Sequence, residues 1–220
     1  MKNKCIVTAI IVLCGFVLFY YPPLVMKEGF SKTYIILMGD SILNNEAYVD
    51  ETNTIENQLK QNTSDSILSL AKDHATVYDT FSQLDQIPSY FNVASTNIIL
   101  SVGGNNLLTT YLYRGENVNI DLIFEDYEKL IMAIKKSMNK ATLYVLDIYY
   151  PTSQGCKKYH SLIHSWNQEL DRVAERHTIQ VIKISEMITD QQDFINDIEP
   201  SPQGAKRITN MILDSINNSK

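Results

Sequence analysis

The sequence contains few cysteines and no run of basic residues. Its 220 residues include only three cysteines, of which Cys5 and Cys14 lie in an apolar N-terminal stretch. A disulfide framework and a cysteine-based zinc site both need more ligands than the remaining Cys156 provides. The chain has 19 Lys and Arg against 25 Asp and Glu, which gives a net charge of −6. This balance excludes the positive surface that nucleic-acid binding requires, so we expect no nucleic-acid partner.

Internal repeats, low-complexity tracts and long Pro/Gly/Ser linkers are also missing from the sequence. Hydrophobic residues make up 45% of the chain and charged residues 20%, proportions that are typical of soluble globular domains. They exclude a disordered chain, a collagen-like repeat and a protein with several membrane spans. We therefore expect one domain over residues 34–220, preceded by a short spacer at residues 26–33.

The first 25 residues have the pattern of a membrane anchor. Lys2 and Lys4 precede an uncharged, mostly apolar run over residues 5–21, which ends in two tyrosines and two prolines. Aromatic residues favour the membrane interface, and positive charge keeps the short N-terminal side cytoplasmic. We expect one transmembrane helix in residues 1–25, an uncleaved signal anchor that binds the membrane through residues 5–21. The C-terminal domain is then lumenal or extracytoplasmic, or it is secreted if the segment is a cleaved signal peptide.

Short β-branched runs alternate with longer amphipathic stretches along the rest of the chain. The predicted strands cover residues 34–38, 66–70, 97–102, 143–146 and 180–184. The predicted helices cover residues 54–61, 77–86, 121–138, 159–177 and 203–216. Continuously apolar strands that alternate with helices predict an α/β fold with a parallel sheet covered on both faces. Such sheets carry their sites in the loops beyond the carboxyl ends of the strands.

Two of these loops carry groups suited to acyl-transfer chemistry. The first strand runs into Gly-Asp-Ser, where Gly39 permits a tight turn that exposes Ser41. The third strand runs into Gly-Gly-Asn, where the glycines allow a close backbone approach and Asn105 can donate to a developing oxyanion. Gly-Asp-Ser alone is also typical of a turn that caps the next helix. The two loops together favour a site with a nucleophilic serine.

Three further segments end at the same predicted edge of the sheet. His74 lies in the loop after the second strand, Tyr149 follows the fourth strand, and Glu199 lies just before the last helix. The tyrosine ring is suited to lining an acyl or sugar pocket, although tyrosine that packs against a loop is more common.

The order Gly-Asp-Ser, then Gly-Gly-Asn, then a Pro-Ser-x-x-Gly turn before the terminal helix resembles the SGNH/GDSL hydrolase family. The resemblance covers roughly Tyr34 to the C-terminus. It implies a three-layer α/β/α, flavodoxin-like domain with a five-stranded parallel sheet that hydrolyses an ester of a small molecule, lipid or glycan without metal or other cofactor. It also implies that Ser41 is the nucleophile, with Asn105 and the Ser41 N–H as oxyanion donors. The residues that we expect to contact substrate are Asp40, Gly103, Gly104 and Tyr149.

The sequence departs from this family at two positions. His74 stands where the family has a glycine whose backbone amide joins the oxyanion hole, and Glu199 stands where the catalytic histidine is expected. Glu199 is a base if burial raises its pKa, or a structural carboxylate at the start of the last helix. His74 is an alternative base held by Glu199 or Asp73, a solvent-facing residue, or a substrate contact. These departures leave a second hypothesis open, a non-catalytic relative that binds an acylated glycan or a lipid head group.

Overall fold

The computed structural model describes residues 33–115 and 118–219, and its centre is a five-stranded parallel sheet. The strands are β1 (Tyr34–Gly39), β2 (Ser66–Ser69), β3 (Thr96–Ser101), β4 (Thr142–Leu146) and β5 (Gln180–Ile182). Their order in the sheet is β2-β1-β3-β4-β5, and all neighbours are parallel. The predicted parallel sheet is confirmed, and this order is the flavodoxin-like one.

Six α-helices accompany the sheet in the described part of the chain. They are α1 (Ile55–Asn62), α2 (Val77–Leu84), α3 (Gly104–Arg114), α4 (Ile120–Ser137), α5 (His160–His177) and α6 (Pro202–Asn218). Five were predicted, whereas α3 was not. A small antiparallel pair, β6 (Phe194–Ile195) and β7 (Glu199–Pro200), was also not predicted; it lies directly before α6.

The helices form one layer on each face of the sheet, as the α/β/α prediction requires. Side chains alternate along a strand, so Ile35 and Leu37 of β1 belong to one core and Ile36 and Met38 to the other. Helices α1 and α6 pack on the first face, while α2, α3, α4 and α5 pack on the second. Trp166 of α5 lies fully buried in the second core.

Local sequence signals explain where most helices near the site begin. The Thr76 hydroxyl accepts the N–H of Asp79 in a capping box that starts α2. Ser201 accepts the N–H of Gly204 and Pro202 follows it at the first position of α6. Helix α3 follows Gly103 without a side-chain cap, and its polar first turn carries no such start signal.

The predicted transmembrane helix falls on residues 1–25, which lie outside the described residues. Within the ranges that the structure does describe, no helix is both long and apolar enough to cross a bilayer.

Candidate active site

The turn after β1 places Ser41 at the carboxyl edge of the sheet. Gly39 has a φ of +121°, and a Cβ atom there would lie 1.7 Å from the Ser101 carbonyl oxygen, so a side chain would collide with β3. The Asp40 N–H donates to that same carbonyl at 2.8 Å. The Gln83 side chain holds the other side of the turn, because it accepts from the Gly39 N–H at 2.6 Å and donates to the Gly39 carbonyl at 2.8 Å. Both Ser41 and Asp40 are buried.

The side chain that meets Ser41 is Glu199. The Ser41 Oγ donates to Glu199 Oε1 at 3.2 Å, across 158 positions of sequence. Glu199 is buried and begins β7 of the short hairpin, whose turn contains Asn196 and Asp197 with φ values of +51° and +71°. Both residue types tolerate this left-handed conformation better than most. The hairpin therefore delivers a carboxylate to the position where the family resemblance implies a histidine.

The pKa of Glu199 is raised above its ordinary value. Burial has the largest effect and raises the pKa, as does the nearby charge of Asp73, whereas the hydrogen bond from Ser41 and the charge of His74 lower it. The second carboxylate oxygen, Oε2, is buried and has no hydrogen-bond partner among the described residues. A carboxylate with one free oxygen and a raised pKa is a stronger proton acceptor than an ordinary glutamate.

His74 does not meet Ser41. Its side chain is 82% exposed and its Nε2 lies 3.4 Å from Asp73 Oδ2. Its φ of +59° is a left-handed conformation, the region that the glycine of the resembled family adopts readily. The backbone N–H donates to Asp73 Oδ1 at 2.8 Å. Of the alternatives for His74, this geometry agrees with a solvent-facing residue and does not bring the ring to the nucleophile.

Asn105 stands in the first turn of α3 and lines the same cavity as Ser41. One hydrogen of its amide group goes to the Ala75 carbonyl at 3.0 Å, which orients the group and leaves a second hydrogen as donor. The preceding Gly103 has a φ of +126°, and a Cβ atom there would lie 2.1 Å from the Trp166 ring. Gly103 therefore packs on Trp166, whereas Gly104 lines the cavity.

Asp40 lines the cavity and also holds the turn after β1. Its Oδ1 accepts from the Ile42 N–H and from the Ser101 hydroxyl, both at 3.2 Å. Burial raises the pKa of Asp40 to about 7, against the lowering effect of these two bonds; the charge of Glu199 raises it further. The cavity lining includes the carboxyl groups of Asp40, Asp197 and Glu199, of which Glu199 contacts the serine.

Tyr149 supports the hairpin that carries Glu199. Its hydroxyl donates to the Ile198 carbonyl at 2.7 Å, and its ring meets that of Phe194 edge-on, with 5.2 Å between ring centroids. Burial raises its pKa well above the ordinary tyrosine value. Since the ring also lines the cavity, the residue combines the two roles that the sequence left open.

The cavity beside Ser41 has a volume of about 360 Å³. The polar side chains that line it are those of Asp40, Ser41, Asn105, Asn196, Asp197 and Glu199. The remaining wall consists largely of apolar side chains from α3, the segment after β4 and α5, namely Leu107, Leu108, Ile148, Pro151, Cys156, Tyr159, Leu162 and Ile163. This wall could not be predicted from the sequence, because Leu107 and Leu108 belong to α3 and the other side chains come from separate segments. The role of Gln83 was also not predicted; its only signal is an amide on the buried face of α2, beside Val77 and Thr80.

No group of three or more His, Cys, Asp or Glu side chains within residues 33–115 and 118–219 is arranged to hold a metal ion. No protein-family model matches the chain, and no curated protein matches it either.

Solved structures do match the chain. A lipolytic protein of the G-D-S-L family from Veillonella parvula is similar over 83% of this chain and 97% of its own, with a TM-score of 0.65 and 16% identity. A lipase/acylhydrolase from Enterococcus faecalis is similar over 85% of this chain and 96% of its own, with a TM-score of 0.66 and 16% identity. The acetyl xylan esterase AlAXEase is similar over 83% of this chain and 98% of its own, with a TM-score of 0.66 and 10% identity. The chain therefore has the SGNH/GDSL hydrolase fold.

Proposed function

We propose that the chain is a serine ester hydrolase in which Glu199 takes the place of the histidine base. The observation that carries the proposal is the hydrogen bond from Ser41 Oγ to Glu199 Oε1, between two buried side chains at the carboxyl edge of the sheet. The names of the similar structures, a lipolytic protein, a lipase/acylhydrolase and an acetyl xylan esterase, agree with ester hydrolysis.

The proposed reaction follows the two-step course of a covalent serine mechanism. Glu199 accepts the Ser41 proton as Oγ attacks the ester carbonyl, and the Asn105 amide and the Ser41 N–H stabilise the negative oxygen that develops. Glu199 then gives the proton to the departing alcohol as the tetrahedral intermediate collapses to an acyl-enzyme. In the second step Glu199 removes a proton from water as the water attacks the acyl group, and it returns that proton to Ser41 Oγ as the acid is released.

The raised pKa makes a carboxylate base workable in this proposal. An ordinary glutamate has a pKa near 4.3, well below that of histidine, so it removes a serine proton poorly. Burial of Glu199 and the nearby Asp73 charge both raise its pKa and so reduce this difference. The unpaired Oε2 adds no hydrogen bond that would stabilise the charged form.

The substrate that fits the cavity is an ester with an apolar acyl group. The acyl chain would lie along the wall that Leu107, Leu108 and Leu162 contribute, with its carbonyl at Ser41. Since each buried methylene contributes about 0.8 kcal/mol, an octanoyl ester is expected to react with a kcat/KM at least about tenfold above that of the acetyl ester of the same alcohol. The substrate is thus a small-molecule or lipid/glycan ester.

We also propose that residues 5–21 anchor the chain in a membrane, with the hydrolase domain on the lumenal or extracytoplasmic side. The uncharged run and the lysines that precede it support this arrangement.

A fluorophosphonate probe tests for an activated serine. The full-length chain is incubated with the probe, and the adduct is read by intact mass. We expect labelling of the wild-type chain, no labelling of Ser41→Ala, and a labelling rate reduced about a hundredfold or more in Glu199→Gln. His74→Ala is expected to retain labelling, because its ring faces solvent.

Ser185→Ala is a matched control. The Ser185 hydroxyl also donates to a carboxylate, that of Asp147, but the pair lies outside the cavity that Ser41 lines. Labelling that Ser185→Ala retains and Ser41→Ala loses assigns the adduct to the proposed nucleophile. The hydrolase proposal is wrong if the folded wild-type chain is not labelled and hydrolyses no ester from acetyl to octanoyl. The second hypothesis, a non-catalytic relative that binds an acylated glycan or a lipid head group, would then be the better account.

A further inference from the structure

The hairpin of residues 194–200 is too short to hold its own shape. Its strands β6 and β7 have two residues each, and isolated two-stranded hairpins are marginally stable in water. Its turn contains Asn196 and Asp197 in a left-handed conformation, which persists only where the surrounding structure holds it. The direction of Glu199 toward Ser41 therefore depends on contacts from outside the hairpin.

The first external contact is at the turn of the hairpin. The Tyr149 hydroxyl donates to the carbonyl of Ile198, the residue before Glu199, at 2.7 Å. Tyr149 is buried, and its ring packs edge-on against Phe194 in the other arm of the hairpin. One side chain thus contacts both arms, next to the residue that bonds Ser41.

The second external contact is at the base of the hairpin, where Asp193 precedes β6. Its carbonyl accepts the Ser201 N–H at 2.8 Å, which joins the residues on either side of the hairpin. Its carboxylate is fully buried and accepts a hydrogen bond from the Arg207 guanidinium of α6 at 3.0 Å. It also accepts the N–H groups of Thr189 and Asp190 at 3.1 and 3.0 Å. A carboxylate is rarely buried to this extent unless it is paired, and this one lies outside the cavity lining.

Arg207 extends the contact at the base to α6 and to the loop before β6. Its guanidinium also donates to the Met187 carbonyl at 3.0 Å and to the Asp190 carboxylate at 3.2 Å. Gly204 lies earlier on the same helix, and a Cβ atom there would lie 2.2 Å from the Asp193 carbonyl oxygen. The base of the hairpin therefore rests directly on α6, which in turn packs on the sheet.

From these contacts we propose that Tyr149 and Asp193 are positioning residues for Glu199. They hold the hairpin so that the carboxylate stays against Ser41 and shielded from water. This inference rests on the proposed function, because it assigns both residues a task in the reaction of Ser41. Tyr149 acts on Glu199 through the adjacent Ile198 carbonyl, and Asp193 acts through the base of the hairpin.

The charge around Glu199 stays constant in the variants that test this proposal. The titratable groups near its carboxylate are those of Asp40, Tyr48, Asp73, His74, Tyr149 and Asp197. Phenylalanine in place of the neutral Tyr149 removes no charge from this set, and Arg207 lies outside it. Burial has the largest effect on the pKa of Glu199, so entry of water lowers that pKa.

Tyr149→Phe tests the contact at the turn in the full-length chain. It removes the bond to Ile198 and keeps the ring. The second-order rate of fluorophosphonate labelling is expected to fall about fivefold or more. The pH of half-maximal labelling is expected to fall by about half a pH unit or more, because water reaches Glu199. Thr96→Val is the matched control, since the Thr96 hydroxyl is also buried and donates to a backbone carbonyl, that of Phe91, but at the amino end of β3.

Arg207→Met tests the contact at the base, because it removes the charged partner of Asp193. Labelling is again expected to slow about fivefold or more, with a lower pH of half-maximal labelling. Loss of a positive charge by itself would raise the pKa of Glu199, so a lower value reports entry of water. Arg207→Lys keeps the charge without the planar fork and is expected to recover part of the lost rate. Arg176→Met is the matched control, since Arg176 also pairs with two carboxylates but near the amino end of β5.

A ¹³C NMR titration of Glu199 gives a second readout that does not depend on labelling. Its carboxyl carbon, assigned from its absence in Glu199→Gln, is expected to titrate at lower pH in Tyr149→Phe and Arg207→Met than in the wild type. If the wild type is not labelled, the hydrolase proposal fails, whereas this titration still decides whether the hairpin is held as proposed. The positioning proposal is overturned if the titration of Glu199 is unchanged in both variants, or if the two controls change it equally.

Discussion

At the scale of single residues, a carboxylate in place of an imidazole changes what its neighbours must do. A histidine base needs a partner that fixes its tautomer, usually an aspartate. A carboxylate has no tautomer to fix, because both of its oxygens accept. The resemblance implies an Asp-x-x-His motif over residues 196–199, and Asn196 stands at its aspartate position as Glu199 stands at its histidine position. The absence of the aspartate is therefore chemically consistent with the absence of the histidine that it would orient.

The pH profile of labelling distinguishes the candidate bases. Glu199 must be deprotonated to accept the Ser41 proton, and burial raises its pKa. The labelling rate is therefore expected to rise with pH as Glu199 loses its proton, and to be lost as the pH falls through that raised pKa. The measurement is the second-order labelling rate between about pH 4 and pH 9, in the wild-type chain and in Glu199→Gln.

Asp40 requires a control in that experiment, because its pKa of about 7 lies within the measured range. Asp40→Asn keeps an acceptor for the Ile42 N–H and removes this ionisation. The rise of the labelling rate with pH that Glu199 causes is expected to persist in Asp40→Asn. A rise that remains in Glu199→Gln and disappears in His74→Ala would instead identify the histidine as the base.

The sequence located the candidate site residues but not their contacts. Ser41, Asn105 and Glu199 follow from strand ends and from the family resemblance, since parallel strands bring their carboxyl ends to one edge. The side-chain direction of His74 could not be predicted, because a surface loop leaves its rotamer to local contacts such as that with Asp73. The bond between Ser41 and Glu199 depends on a hairpin too short to leave a periodic pattern.

At the scale of elements, α3 was the helix that sequence patterns missed. It begins at Gly104 without a capping side chain, and its polar first turn resembles a loop. What places it is tertiary packing: Gly103 lets the chain pass directly over Trp166, and Leu107 enters the core beyond. Periodicity cannot reveal a helix whose start depends on a residue more than 60 positions later.

Gly103→Ala tests this packing. The added methyl group would lie 2.1 Å from the Trp166 ring, at a φ of +126° that alanine rarely adopts. We expect the free energy of unfolding to fall by about 2–4 kcal/mol in urea denaturation, and labelling of Ser41 to slow because Asn105 moves with α3. Gly155→Ala is the control, since a Cβ there meets no atom within 4 Å and its effect should stay within about 0.5 kcal/mol. Equal stability of the two variants would contradict this account.

At the scale of the whole molecule, the sheet and its layers were the most predictable part. Five runs rich in apolar residues correspond to β1 through β5. The clearest is β1, where five of the six residues are buried, because a strand covered on both faces favours apolar residues along its length. The alternation of strands with helices then leaves few ways to connect them.

Membrane anchoring is the prediction that belongs to the full chain. We expect the full-length chain to sediment with membranes after carbonate washing, and a chain without residues 1–25 to stay in the supernatant. Protease added outside intact cells or spheroplasts should digest the domain if its side is extracytoplasmic. Release of the full-length chain by carbonate would contradict the membrane anchor. A domain that resists protease until the membrane is opened would contradict its extracytoplasmic side.

The contact between Gly103 and Trp166 has a practical consequence for optical spectroscopy. Trp166 is the only tryptophan in the chain, and its indole lies fully buried beneath the glycine that precedes α3. Its emission maximum should therefore be at short wavelength, and all tryptophan fluorescence originates beneath Gly103. A shift of the start of α3 can be followed in real time by this intrinsic signal without any attached dye.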